Sequence, residues 1–446
     1  MKPNILAILP GLIPSTIINV TTPLIDLHKA GLIKARVTLE IFTKDKGSYR
    51  NIESSDLIVF CRNVEPAGVR WLSKILEYKT PYIYDIDDNL FELPLDTLSG
   101  KYHRSPERIA MLEEYIRHAN LVRVYSEPML ERARSLNPNS VKVNGPVDWR
   151  LLSPSPKRAG TGPVKIVYAT SRVNDNLAEL FKPALKRILE KYPDQVQVHF
   201  LGYNPPEFKA YTNVFFKPLT LNYEKYLRYF SGAGFDIGLA PLLDDIFHRS
   251  KSNLKVREYG ACRIAGIYSD VDVYSTTVTH RETGLLVKND PDEWFAALSE
   301  MIENHELRRY IQEKGYQLAQ KRFSQVNFNR VWYQQITETL QQPLKRKESH
   351  QAFEKLKLLD EQQASLEIFD KNYADEIKPG LVKFLSMLLR LMGFPKWFQR
   401  KTITIILRLR SEEGSFLFHT IKMYIKSYGE SFWILMKIRF QLFWNS

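Results

Sequence analysis

Short apolar runs alternate with helical stretches along the chain, and this alternation limits the folds that the chain can adopt. In the first third, residues 4–9, 56–61 and 82–86 are near-continuous apolar runs, and helical patterns such as residues 67–78 lie between them. Apolar strands separated by helices are typical of a parallel sheet that is covered on both faces. Residues 1–150 are therefore expected to form one doubly wound α/β domain.

The same alternation starts again after residues 152–163, a segment rich in Pro, Ser and Gly that is typical of a linker. From there, strand candidates such as 164–168 and 236–240 alternate with helices. Residues 151–340 are expected to form a second doubly wound domain. Ligands of such sheets bind at the carboxyl ends of the strands, so we expect the two domains to face each other across a binding cleft.

The composition fits an intracellular globular protein. A chain of 446 residues is long enough for two domains and a further segment, and 44% of its residues are hydrophobic. Cys61 and Cys262 are far apart and form no CxxC pair, which favours a reducing, cytoplasmic compartment. The short apolar run at the N-terminus is interpreted as a first strand, because a signal peptide needs a longer apolar core.

The C-terminal residues 341–446 are predicted to form a helical extension that is both basic and aromatic. Residues 380–446 hold eleven Lys and Arg against three Glu, a net charge of +8 out of +13 for the whole chain. Charged residues interrupt every long apolar run, so we expect amphipathic helices on an anionic membrane surface rather than a spanning helix. This predicts a peripheral protein on the inner face of the cytoplasmic membrane. Packing of the extension on the domains is the alternative, and no motif indicates nucleic-acid binding.

The segment from Arg249 to Glu258 is the first candidate site. It follows a predicted strand and opens a predicted helix, and a helix N-terminus offers N–H groups and a positive dipole end to phosphates. Ser252, Asn253 and Lys255 add further donors. Glu258 lies one turn later, where a carboxylate can accept both hydroxyls of a ribose. The alternative is that Lys255 and Glu258 form only a solvated ion pair.

A cluster of carboxylates at the end of the strand at 82–86 is the second candidate site. Asp85, Asp87 and Asp88 are expected to face the cleft, where they could act on an acceptor hydroxyl. His103 follows closely and is expected to reach the same cleft, although a lone His is usually a surface or core residue. The Asp-x-Asp spacing also permits a metal site or simple capping of the next turn. We predict no metal, because no further ligand set is visible.

The sequence Glu258-Tyr-Gly-Ala resembles the donor signature of the retaining GT-B glycosyltransferases, the group 1 family that includes many polysaccharide and lipopolysaccharide sugar transferases. That signature is Glu-x7-Glu: the first Glu contacts the donor sugar and the second binds the ribose. Glu258 matches the second Glu. Ser250 stands at the position of the first, so this chain departs from the family there.

Further fragments occur in the order in which the family has them. Residues 143–148 (VNGPVD) resemble its interdomain turn, and residues 283–287 (TGLLV) resemble a late strand. Gly11 stands in the place of a first glycine-containing loop facing the donor phosphates, and Arg172 in the place of a phosphate-binding Arg. The stretch YDIDDNLF at 84–91 is similar to one found in a subset of sugar transferases.

The resemblance implies a GT-B fold, in which residues 1–150 are a Rossmann-like acceptor domain and residues 151–340 a Rossmann-like donor domain. It implies a hexosyltransferase that moves a sugar, with retention, from a nucleotide diphosphate sugar to a glycan or lipid-linked acceptor in cell-surface polysaccharide synthesis. No cofactor besides this co-substrate is expected. The implied donor-binding residues are Gly11, Arg172, Ser252, Asn253, Lys255 and Glu258.

Two other classes of protein fit the same sequence features. A sugar-nucleotide epimerase can use the same two-domain fold, although it would need an acid and a base within the cleft. A non-catalytic adaptor that binds sugar nucleotides would keep the donor site without turnover. Assays over a panel of sugar nucleotides distinguish the three.

Overall fold

The computed structural model describes residues 2–342 with five gaps, at 41–45, 66–67, 154–161, 172–175 and 221. Arg172, most of the predicted linker and nearly all of the predicted extension at 341–446 lie outside the described residues.

The first sheet contains six parallel strands in the order β2-β1-β3-β4-β5-β6. Its central strands are buried on both faces: every residue of the LIVFC strand and of the YIYDI strand is buried. The strands are β1 (Asn4–Leu9), β2 (Lys34–Leu39), β3 (Leu57–Cys61), β4 (Tyr82–Ile86), β5 (Leu121–Val124) and β6 (Ser140–Lys142).

Helices cover both faces of the first sheet. The helix that follows β3 shows why they pack there, since Trp71, Leu72, Ile75 and Leu76 recur at helical spacing and are all buried. The helices are α1 (Pro14–Thr16), α2 (Thr22–Lys29), α3 (Lys46–Glu53), α4 (Val69–Tyr78), α5 (Leu98–His103), α6 (Pro106–His118) and α7 (Glu127–Leu136).

The second sheet also has six parallel strands, in the order β12-β11-β10-β7-β8-β9. The strands are β7 (Val164–Ala169), β8 (Val196–Leu201), β9 (Val214–Lys217), β10 (Ile237–Ala240), β11 (Ala265–Ser269) and β12 (Leu285–Val287). The helices are α8 (Lys182–Lys191), α9 (Tyr223–Gly232), α10 (Ile246–Arg249), α11 (Leu254–Ala261), α12 (Asp272–Ser275), α13 (Pro291–Glu303), α14 (His305–Arg322) and α15 (Gln325–Leu340). The prediction of two doubly wound parallel sheets is confirmed. In the part of the chain that the structure describes, no helix is long and apolar enough to cross a membrane.

Residues 14–29 do not form one continuous α-helix. A π-helical segment, Ile17–Thr21, lies between α1 and α2. Pro23 has no N–H to donate to the carbonyl of Asn19, four residues earlier, and the indole Nε1 of Trp332 donates to that carbonyl at 2.8 Å instead. The irregular segment therefore connects the first helix to α15, more than three hundred residues away.

The chain crosses between the two sheets at two adjacent places. The turn at 143–148 carries it from the first sheet to the second, and α15 brings it back. These crossings are in contact, since the Val147 N–H donates to the Phe323 carbonyl at 2.9 Å and Val147 forms an isolated parallel β-bridge with Ser324. Along α15, Phe328, Trp332 and Ile336 are buried in one apolar cluster with β1 and β3. The last described helix therefore packs on the first sheet.

Candidate functional site

The predicted donor site lies at the beginning of α11, which follows β10 and the short helix α10. Asn253 precedes the helix, but its side chain does not cap it: Nδ2 donates to the Thr277 hydroxyl at 3.2 Å. The first N–H groups of a helix have no partner within the helix. The start of α11 therefore offers a positive dipole end and backbone N–H donors that do not bind the Asn253 side chain.

One turn into α11, a buried carboxylate is held by two neighbours. Lys255 Nζ lies 3.1 Å from Glu258 Oε2, and the Tyr226 hydroxyl donates to the same oxygen at 3.1 Å. The Glu258 side chain is only 1% exposed, whereas Lys255 is 24% exposed. The pair that the sequence predicted is present, but it is not a solvated surface pair. Burial with two partners fixes the carboxylate in one orientation.

Arg257, next to Glu258, was not identified from the sequence. Its side chain is buried, and burial lowers its pKa. Nη1 donates to the Pro146 carbonyl at 3.1 Å, and Nη2 donates to the Ser252 hydroxyl at 3.3 Å. The guanidinium thus connects the interdomain turn to the residue that precedes the N-cap of α11. In the sequence, an arginine between a lysine and a glutamate looks like one more surface charge. Only the fold shows that it contacts Pro146 and Ser252.

Ser250 occupies the place of the family's first Glu and contacts the first sheet's domain. Its side chain is buried, and its hydroxyl donates to the Ile246 carbonyl at 2.6 Å. Asn89 Nδ2 donates to that hydroxyl at 3.1 Å, and the Ser126 hydroxyl donates to the Ser250 carbonyl at 2.8 Å. A side chain that should touch the donor sugar in the family is used here for contact between the two halves of the molecule.

Asp87 and Asp88 lie after β4, and two cations neutralise them. Arg62 places Nη1 3.1 Å from Asp87 Oδ1 and Nη2 3.2 Å from Asp88 Oδ2. Lys251, on the other side of the cleft, places Nζ 3.1 Å from Asp88 Oδ1. Within the described ranges, no three His, Cys, Asp or Glu side chains form a group that could hold a metal ion.

The structure corrects the expectation that Asp85 faces the cleft. This residue is still within β4, and its side chain is fully buried, so only Asp87 and Asp88 lie at the cleft. The Tyr125 hydroxyl donates to Asp85 Oδ2 at 2.9 Å, and Arg123 Nε lies 3.6 Å from the same oxygen. Burial raises the pKa of Asp85 to about 7, against the opposing effect of Arg123.

His103, the last residue of α5, lies within electrostatic range of Arg62 and Asp88. Burial, together with Arg62 and Arg108, lowers its pKa to about 4, so the imidazole is neutral at pH 7. Its Nδ1 is buried and has no hydrogen-bond partner among the described residues. The structure therefore brings His103 and the two carboxylates into one region of the first domain.

Two further donor-side residues were predicted. Gly11 follows β1, its Cα faces open space, and its carbonyl accepts a hydrogen bond from the Thr16 hydroxyl at 2.7 Å. A loop of this kind leaves room for a ligand to approach the backbone closely. Arg172 lies outside the described residues, so its predicted role stays a prediction.

The two sheets, their connection and the return of α15 define the class of fold: the chain has the GT-B fold. Residues 164–304 match the family described as Glycosyl transferases group 1. This match covers most of the second domain and confirms the resemblance seen in the sequence. No curated protein matches the chain significantly.

Solved structures of distant sequence share this fold. HepE from Anabaena, in complex with UDP-glucose, superimposes with a TM-score of 0.52 at 15% identity, covering 76% of this chain and 99% of that one. Sucrose-phosphate synthase from Thermosynechococcus elongatus gives a TM-score of 0.54 at 15% identity, with 75% and 98% covered. A glycosyltransferase from Rickettsia africae gives 0.54 at 13% identity, with 76% and 99% covered.

Proposed function

We propose that this protein transfers a sugar from a nucleotide diphosphate sugar bound at the start of α11. The observation that carries the proposal is the buried carboxylate of Glu258, held by Lys255 and Tyr226 one turn after an uncapped helix start. The helix start and Lys255 can donate hydrogen bonds to a diphosphate, and the Glu258 carboxylate can accept hydrogen bonds from the hydroxyls of a ribose. The proposed site thus has groups that complement both the diphosphate and the ribose of the nucleotide.

Catalysis would depend on positioning the reactants and on stabilising the diphosphate as it leaves. Charge develops on the departing diphosphate, and preorganised donors in a water-poor cleft stabilise such charge strongly. We assign this role to Ser252, Asn253 and Lys255, with Arg172 as a further cation on the strength of the family resemblance. Retention of the anomeric configuration is proposed on the same ground.

Uracil is the base that we propose for the donor nucleotide. HepE, which shares the fold, was crystallised with UDP and with UDP-glucose. Ser250 replaces the family's sugar-contacting Glu and is buried in the contact between domains, so other residues contact the donor sugar in this proposal.

The acceptor is proposed to bind the first domain beside Asp87, Asp88 and His103. The two carboxylates already bind Arg62 and Lys251, so their role is to accept hydrogen bonds from acceptor hydroxyls and orient them. His103, whose imidazole is neutral at pH 7, lies in the same region, and we propose that it helps to orient the acceptor there. A glycan or lipid-linked acceptor of cell-surface polysaccharide synthesis has such hydroxyls.

Membrane attachment through residues 380–446 is proposed from their sequence alone. A net charge of +8 with interspersed aromatic residues suits an anionic surface. Co-sedimentation with vesicles containing anionic lipid tests this. Deletion of residues 380–446 should abolish binding at physiological salt, and unchanged binding of the truncated protein would contradict it.

A panel of UDP-, GDP- and dTDP-sugars tests the proposed function. Wild type should release nucleotide in the presence of an acceptor glycan. Glu258→Gln should lower kcat/KM for the donor by about tenfold to a hundredfold, the effect of losing a charged hydrogen bond. Glu190→Gln, which changes an exposed carboxylate on α8, is the matched control.

The same panel separates the alternatives. Interconversion of the sugar nucleotide without an acceptor would indicate an epimerase. Thermal stabilisation by a nucleotide without any turnover would indicate a non-catalytic binder. If no nucleotide stabilises the protein, or if Glu258→Gln turns over like wild type, the donor site described above is wrong.

A further inference from the structure

Arg257 contacts two parts of the chain whose relative position affects the proposed donor site: the interdomain turn and the start of α11. Nη1 donates to the carbonyl of Pro146 in the interdomain turn, and Nη2 donates to the hydroxyl of Ser252 at the start of α11. The guanidinium is buried, so water does not compete for these two hydrogen bonds.

The turn is shaped to admit this guanidinium. A Cβ on Gly145 would lie 2.0 Å from Arg257 Nη1 and 2.6 Å from its Cζ, so only a residue without a side chain leaves room there. The neighbouring Val147 binds the Phe323 carbonyl, which places the contact where both chain crossings meet. Arg257 is therefore anchored at the connection between the domains.

The contact also sets the direction of the Ser252 hydroxyl. Its oxygen accepts from Arg257, so its proton is directed elsewhere. Ser252 is half-buried just before Asn253, the N-cap of α11, on the side where the helix offers its N–H groups. A hydroxyl fixed as a donor at this place reinforces the helix start as an anion site.

We propose that Arg257 is a positioning residue of the donor site: it joins the interdomain turn to the start of α11 and presents the Ser252 hydroxyl to the donor diphosphate. This inference rests on the proposed function, because it assumes that a nucleotide binds there. Arg257 itself touches no reacting atom.

Gly145→Ala tests the inference without removing Arg257. The new methyl group displaces the end of a flexible side chain, and the backbone does not have to move. UDP is the probe, and its dissociation constant is measured by calorimetry. We expect Gly145→Ala to raise it about tenfold or more, as for the loss of one hydrogen bond to a charged group. Gly162→Ala, at an exposed glycine with nothing within 4 Å, is the control and should bind like wild type.

A double-mutant cycle distinguishes positioning from general destabilisation. Ser252→Ala should raise the dissociation constant of UDP in wild type by about tenfold, but by less than twofold in the Gly145→Ala background, because the hydroxyl is no longer oriented there. A structural role alone would lower the melting temperature of Gly145→Ala and leave its UDP affinity unchanged, and that result would overturn the inference. Independent, additive effects of the two substitutions would overturn it as well.

The outcomes also separate this inference from the proposed function. Equal UDP affinity in all variants, with binding by wild type, would overturn the role of Arg257 alone. No binding of UDP or any other nucleotide by wild type would overturn both.

Discussion

Buried charges distinguish the interior of the first domain from an ordinary apolar core. Arg123 is fully buried, and none of its three guanidinium nitrogens has a hydrogen-bond partner within the described residues. It lies over the ring of Trp332 at 3.6 Å and beside Asp85 at 3.6 Å. A cation–π contact and an incomplete ion pair replace the hydrogen bonds that a buried arginine normally makes.

This arrangement predicts a pH dependence of stability that comes from Asp85. Its pKa is about 7 in the folded protein, against 3.8 for the unfolded group. Because the folded state holds the proton longer, the contribution of Asp85 is complete below about pH 4 and is lost as the pH rises to about 7. Thermal melting of wild type and Asp85→Asn from pH 4 to 8 measures it. The free energy of unfolding of wild type, relative to that of Asp85→Asn, should fall by a few kcal/mol as the pH rises over this range. Parallel pH profiles of the two proteins would contradict the prediction.

Single residues of the site were predictable where the chemistry is local in sequence. Lys255 and Glu258 lie one turn apart, so their pairing follows from helical spacing. Arg62 and Arg257 were missed, because their partners Asp87 and Pro146 come from other segments of the chain. Asp85 was misplaced because it was grouped with Asp87 and Asp88 at the end of β4, although it lies one residue before that end, where its side chain is still buried.

At the scale of elements, the length of a helix or strand decided whether the sequence could predict it. The structure gives β1 and β4 the same bounds that the apolar patterns predicted. The helices α10 and α12 have only four residues each, too few for helical periodicity to register. The π-helical break after α1 depends on Trp332 from α15, which no local pattern contains.

Two glycines at the contact between α11 and α14 differ in the space around them. A Cβ on Gly260 would lie 2.5 Å from the Gly315 carbonyl oxygen, a backbone atom that cannot easily move. A Cβ on Gly315 would have only ordinary contacts, the nearest at 3.6 Å. The helix α11 can therefore approach α14 closely only because residue 260 has no side chain.

The two glycines form a matched pair of variants. Gly260→Ala should reduce the free energy of unfolding by about 1–3 kcal/mol through overpacking. Gly315→Ala should increase it by roughly 0.5–1 kcal/mol, because alanine favours a helix interior over glycine. Denaturant titration measures both. Equal effects of the two substitutions would contradict the packing described for this contact.

At the scale of the whole molecule, the two halves are joined by more than the chain crossings. Phe247, on α10, is buried in the apolar core of the first domain. Ser250 and Lys251 follow it and bind Asn89 and Asp88 across the cleft. The segment that leads into α11 thus also contacts the predicted acceptor side.

Removing the Phe247 ring should loosen this contact. Phe247→Ala is expected to cost about 3 kcal/mol or more, the usual loss for a buried phenylalanine. We expect a lower melting temperature and a larger radius of gyration in small-angle X-ray scattering. Ile246→Ala is the control, because the neighbouring Ile246 is 52% exposed and should change neither quantity. An unchanged radius of gyration in Phe247→Ala would show that α10 does not hold the domains together.

A crystal structure of the protein with UDP would show whether the nucleotide binds at α11. We expect the diphosphate at the beginning of α11, within hydrogen-bond distance of Ser252 or Lys255, and both ribose hydroxyls on Glu258. Nucleotide bound elsewhere, or a ribose that does not contact Glu258, would contradict this expectation.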